Sequence, residues 1–154
     1  MINVQMLGED AHTRFKELLI KAGEATLSQQ NADTSVEMGI MLGDDKLLEK
    51  LNFEHANEMH ATDVLSFQGG DINPESGNVY LGDIAISVSR AKAQAKAGQH
   101  SLEDELQLLV VHGVLHLLGH DHAKQDEKDR MWKAQKELLS ILGISLDIES
   151  LGVH

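Results

Sequence analysis

The sequence predicts an α+β domain, a small mixed β-sheet packed with helices around one central helix that is buried on most sides. Three observations carry that expectation. Residues 1–7 and 36–42 alternate apolar and polar side chains with the two-residue period of half-buried strands. Residues 13–28 repeat their apolar positions at helical spacing, with Phe15, Leu18, Leu19, Ala22 and Ala25 on one face. The segment from Ser101 to Leu118 is apolar nearly all round, as a helix with neighbours on most sides must be.

The remaining elements follow in order. Gly43-Asp44-Asp45 supplies a turn and an N-cap for a helix that carries Leu47, Leu48 and Leu51 and ends near Asn57. Residues 63–67 read as a short buried strand and residues 78–88 as a longer one, with a Gly, Asn, Pro and Ser-rich loop over 68–77 between them. After Ser89 the chain turns helical. The central helix opens on Ser101-Leu102-Glu103-Asp104, a cap followed by acidic residues that suit the positive end of the helix dipole, and Gly119 stops it. A last helix over 124–142 offers Met131, Trp132, Leu138, Leu139 and Leu142 for packing. No linker, repeat or low-complexity tract divides the chain, so residues 1–154 read as one domain.

Composition narrows the chemistry. A chain of 154 residues with 42% hydrophobic content can bury a core of its own. No apolar run is long enough for a membrane span, and the first residues lack the basic and apolar blocks of a signal peptide, so a cytoplasmic protein with no membrane partner is expected. The absence of cysteine excludes disulfides and thiolate ligands, and leaves histidine and carboxylate to build any transition-metal site. The net charge of −12 repels polyanions, so a nucleic-acid substrate would have to be held by a local basic cluster. Arg90, Lys92 and Lys96 form one such cluster, and Lys124, Lys128, Arg130, Lys133 and Lys136 another; either also reads as a solvated helix face.

The most informative segment is His112-Gly113-Val114-Leu115-His116-Leu117-Leu118-Gly119-His120-Asp121-His122. His112 and His116 lie four apart, so on a helix their rings project from one face and can share a metal ion. Gly119 can adopt positive φ, which lets the chain reverse and return His122 as a third ligand. Three histidines on one zinc leave a fourth position for water, the arrangement of a catalytic site. His120 takes the place of His122 if the helix continues past Gly119. The spacing matches the zinc-peptidase signature H-E-x-x-H-x-x-G-x-x-H except at Gly113, where the peptidases carry the glutamate that serves as general base. Asp121 and Asp83 are the nearest acidic substitutes, and no catalytic base is assigned. His12, His55, His60, His100 and His154 lack metal spacing and are expected at the surface.

These residues resemble the hallmark H-G-x-L-H-L-x-G-x-D-H of the YbeY-type endoribonucleases, or rRNA maturation factors, at every fixed position. Two further segments are similar to that family's, Thr62-Asp63-Val64-Leu65-Ser66-Phe67 and Leu81-Gly82-Asp83-Ile84-Ala85-Ile86-Ser87. The resemblance implies one zinc ion held by His112, His116 and His122, and single-strand endoribonuclease activity in rRNA processing, at the 3′ end of 16S rRNA, and in ribosome quality control. Ribosomal RNA and the ribosome or its proteins are then the partners. Within the first segment, Asp63 and Ser66 are candidates for substrate binding, or else brace the strand. Asp83 is expected to orient a ligand histidine or to accept backbone hydrogen bonds. The chain departs from the family at Ala56, where arginine is usual, and at Met59, Ala61 and Gln68, where aspartate, proline and proline are expected; an arginine near the metal could neutralise charge growing on the phosphate.

Two other functions compete with this one. A zinc peptidase or amidohydrolase is favoured by the ligand spacing and disfavoured by Gly113. A non-catalytic ribosome-associated factor with structural zinc is favoured by the acidic surface and by Ala56.

Overall fold

Four strands pair edge to edge into one sheet, with alternate burial clearest in the first two along the chain and a continuous buried run at the end of the fourth. The computed structural model describes residues 1–6, 15–33, 35–56, 64–120 and 124–146, with 52–56 described by their backbone alone. Its elements are β1 (Ile2–Met6), α1 (Lys16–Gln29), β2 (Glu37–Gly43), α2 (Asp45–Ala56), β3 (Val64–Gln68), β4 (Tyr80–Ser87), α3 (Val88–Gly98), α4 (Leu102–Leu117) and α5 (Gln125–Ile141). The strand order is β1-β2-β4-β3. The first three of these run parallel and β3 runs antiparallel to β4, so the sheet is mixed, as expected for this α+β domain.

Strand parity decides what each residue faces. Ile2 and Val4 of β1, Met38, Ile40 and Leu42 of β2, and Ile84 and Ile86 of β4 are buried in one core with Leu19 and Ala22 of α1 and Leu106, Leu109, Val110 and Val114 of α4. Their alternates Asn3 and Gln5 are exposed. α4 is the centre of the molecule: every residue from Glu105 to Leu115 is buried, and the helix contacts α1, α3, α5, β3 and β4. Met131, Ala134 and Leu138 of α5 close its far side against Val111 and Leu115.

Side-chain caps set most helix starts. Asp44 accepts the Leu47 N–H at 2.9 Å and Ser101 accepts the Asp104 N–H at 3.1 Å, as the sequence anticipates. Ser87 accepts the Arg90 N–H at 3.2 Å, so α3 begins one residue inside the stretch expected as strand. β4 also starts two residues late, because the Asn78 side chain is drawn to Glu37 together with Asn73 and Ser76. His100, expected at the surface, is instead packed against α4, its Nε2 2.8 Å from Glu105 Oε1, with side chains only 6% and 2% exposed. No described helix is long and apolar enough to cross a membrane.

Candidate metal centre

Two of the three predicted ligands stand together on the last turns of α4. His112 is buried and His116 half-buried. Their rings meet edge to face with centroids 4.6 Å apart, and the two Nε2 atoms approach to 3.1 Å. Nitrogens sharing one zinc at bonds of about 2.0–2.1 Å in a tetrahedron lie about 3.3 Å apart, so the spacing of the pair is compatible with a shared zinc. The site also sits at the C-terminal end of a helix, where the aligned peptide dipoles favour a cation.

Gly119 ends the helix as predicted. Its φ is +100°, its N–H donates to the His116 carbonyl at 3.0 Å, and the His120 N–H donates to the Leu115 carbonyl at 2.9 Å. Those two bonds form a Schellman turn that reverses the chain. The helix therefore does not continue to carry His120 above His116. The Nε2 of His120 lies instead 2.7 Å from Gln30 Oε1, and burial, with Arg130 as a second cause, holds the pKa of this imidazole below its ordinary value. His122 and Asp121 lie outside the described residues, as do Asp63, Met59 and Ala61. Among the described residues no group of three histidine, aspartate or glutamate side chains has metal-binding geometry.

Gly113 explains why the peptidase glutamate is missing. A Cβ at this position would fall 2.9 Å from Ile84 Cδ1, 3.0 Å from Cγ2 and 3.1 Å from Cγ1. The position between the two histidines is therefore a close contact of α4 with β4, and a side chain there must displace Ile84. On the neighbouring strand the Ser66 hydroxyl donates to the Gly113 carbonyl at 3.2 Å, tying β3 to the same turn of helix.

Asp83 does not orient a histidine. Ile84 faces α4, so strand parity turns Asp83 to the opposite face, where it accepts a hydrogen bond from the Tyr80 hydroxyl. Burial, reinforced by this bond, raises the Tyr80 pKa, so the phenol stays protonated as donor. The Nδ1 of His112 meets Gln135 of α5, fully buried, whose Oε1 lies 2.8 Å away. The sequence reading overlooked this residue. Its signal was a lone amide in an apolar helical stripe, between Met131 and Leu138.

The basic clusters are partly occupied. Arg90 pairs with Asp45 at 3.1 Å, Arg130 with Asp126 at 3.6 Å, and Lys128 lies 4.7 Å from the centroid of a Trp132 ring, whereas Lys92, Lys96, Lys124, Lys133 and Lys136 are exposed. A cavity of about 880 Å³ along α5, lined by Trp132, Lys133, Lys136, Leu139 and Ile144, includes neither histidine.

A mixed four-stranded sheet packed on a buried helix that brings two imidazoles together in its last turns defines the class: a single α+β domain with a histidine pair at the end of its central helix. Comparison with known proteins narrows the class. The family described as Endoribonuclease YbeY matches residues 3–143. Endoribonuclease YbeY of Roseiflexus sp. (strain RS-1) is 41% identical over 151 residues, 94% of each chain, and that of Halalkalibacterium halodurans 35% identical over 147 residues, 90% of this chain and 91% of its own. The solution structure of TM1509 from Thermotoga maritima covers 92% of this chain and 89% of its own at a TM-score of 0.63 and 26% identity. The chain belongs to the YbeY endoribonuclease family, a metal-dependent family of RNA hydrolases.

Proposed function

We propose that this chain is a zinc-dependent, single-strand-specific endoribonuclease of the cytoplasm that acts in rRNA processing, at the 3′ end of 16S rRNA, and in ribosome quality control. The observation that carries the reading is the 3.1 Å approach of the His112 and His116 Nε2 atoms in a chain of this family. One zinc ion would be held by these two residues and His122. Bound there, it supplies Lewis-acid polarisation of a phosphodiester oxygen and acidifies a water molecule.

The protein's own groups do the rest. α4 holds two imidazoles one helical turn apart, and the Schellman turn at Gly119 ends the helix just beyond them. Ser66, whose proton is given to the Gly113 carbonyl, keeps lone pairs to accept from a ribose hydroxyl, and Asp63 is its companion in substrate binding. The packing of Gly113 on Ile84 weighs against peptidase chemistry, since the glutamate that chemistry uses has no room.

The test is cleavage of a labelled single-stranded RNA by the wild type and His116→Ala, each chelated and then zinc-restored. Cleavage only by the zinc-loaded wild type is expected. Equal cleavage by both proteins would indicate a contaminant, and silence in both would favour a non-catalytic role at the ribosome. Product ends add the chemistry: 2′,3′-cyclic ends with DNA left intact mean attack by the ribose hydroxyl, whereas cleavage of both nucleic acids means attack by water.

A further inference from the structure

A neutral imidazole has one N–H, and which nitrogen carries it decides whether the other can bind a metal. Gln135 stands at a place where that choice can be imposed on His112, against its Nδ1. Its Oε1 lies 2.8 Å from Nδ1 in a fully buried setting, while the Nε2 of His112 faces the Nε2 of His116. An amide oxygen only accepts, so Nδ1 must be the donor and Nε2 is left with the lone pair.

The rest of the residue argues against a packing role. Gln135 is completely buried on the apolar stripe of α5, and its amide nitrogen has no hydrogen-bond partner among the described residues. An unsatisfied buried donor keeps its full desolvation penalty with nothing to offset it. Methionine would fill nearly the same volume at no such cost. A polar group kept at a place where it is half-satisfied requires a reason, and the atom it does satisfy is on a metal-ligand ring.

We propose that Gln135 is a positioning residue that fixes His112 as the Nδ1–H tautomer and so presents its Nε2 lone pair to the metal. Histidine in water favours the opposite, Nε2–H form, which would place a proton where the ion belongs. Gln135 reverses that preference before any metal arrives, and its neutral oxygen does so without adding negative charge to the centre. This inference rests on the zinc reading above and deepens it.

The test uses the full chain as wild type, Gln135→Met and Gln135→Glu. The methionine keeps the volume and removes the acceptor; the carboxylate keeps the acceptor. The tautomer of His112 is read from two-bond nitrogen–proton correlations of the metal-free chain, and zinc affinity from competition with a chromophoric chelator. Wild type and Gln135→Glu should show Nδ1–H, and Gln135→Met should populate Nε2–H and bind zinc about 10–100-fold more weakly. Simple packing by Gln135 would leave the tautomer unmoved by either variant. A wild-type His112 found as Nε2–H overturns the proposal, and does so even if Gln135→Met fails to fold. Unchanged zinc affinity in a folded Gln135→Met also overturns it. A wild type that takes up no zinc while showing the Nδ1–H form refutes the zinc reading instead, and leaves the tautomer result in support of Gln135.

Discussion

Replacing Gly113 by alanine tests the close approach of α4 to the sheet between His112 and His116. The new methyl would meet three carbons of Ile84 at 2.9, 3.0 and 3.1 Å. Carbon atoms rest at about 3.5–4.0 Å, so helix and strand must part by roughly half an ångström. Ile84 cannot step aside: it is fully buried, and both branches at its Cβ are in range, so turning χ1 trades one overlap for another. Overpacking of this kind costs about 1–3 kcal/mol, and alanine returns about 1 kcal/mol over glycine in a helix interior. A net loss of about 1 kcal/mol is expected as a lower urea midpoint at unchanged slope. The decisive comparison is a double-mutant cycle. Ile84→Ala alone should cost about 2–5 kcal/mol, and in the Gly113→Ala background less, with a coupling of about 1 kcal/mol or more. A Gly113→Ala protein that is more stable than wild type, with strictly additive effects, would refute the close approach. Gly113→Glu completes the peptidase signature in sequence, yet its side chain starts from the same Cβ, so a less stable protein without peptidase activity is expected.

Three further outcomes follow from the geometry. At Gly119, φ is +100° and no atom of the described residues lies within 4 Å of where a Cβ would stand; Gly119→Ala should therefore cost mainly backbone strain, about 1–2 kcal/mol, and Gly119→Asn less, measured by thermal unfolding. His120 has a folded pKa below its ordinary 6.5, so the unfolded chain takes up this proton first and stability falls as pH drops through 6.5 toward the folded value; His120→Gln should remove that part of the slope, and an identical pH profile in the variant would contradict the burial argument. Glu37, held below the usual carboxylate range by Ser76, then Asn73 and Asn78, anchors the loop before β4; Glu37→Ala should speed hydrogen exchange across residues 70–78, and the wild-type protection should weaken in acid as the carboxylate is protonated.

What the sequence disclosed, and what it concealed, follows from the range of the interactions. α4 was legible because a segment apolar on every side has few other folds open to it, and the cap at Ser101 and the stop at Gly119 are local. The histidine pair was legible for the same reason, since four residues along a helix fix two rings on one face. The direction of Asp83 is hidden because it lies in a strand whose neighbours are buried. Ile84, Ala85 and Ile86 are all buried, and that run hides the parity which turns Asp83 away. His100 has no metal spacing, but the turn between α3 and α4 folds it onto Glu105. Gln135 is 23 residues from His112, and no local pattern links them.

The placement of the centre follows from that same helix. A helix enclosed from Glu105 to Leu115 can offer polar chemistry only where its enclosure ends, and here the enclosure ends at the C-terminal turn, where His116 is half-buried and Gly119 exposed. That end also carries the partial negative charge of the helix dipole, worth about 0.3–1 kcal/mol to a nearby cation at an exposed site and more when partly buried. A metal centre on this fold is thus favoured at one end of α4 and disfavoured at the other, where the dipole is positive and the Ser101 side chain caps the Asp104 N–H. The apolar length of α4 supplies stability, Gly113 sets how closely it meets the sheet, and the exposed last turn is left for chemistry. Such a division predicts that core substitutions such as Leu109→Ala lower stability by about 2–5 kcal/mol while zinc affinity of the folded protein holds, and that His116→Ala does the reverse. Loss of zinc affinity in a folded Leu109→Ala protein would mean that the two functions of the helix are not separable.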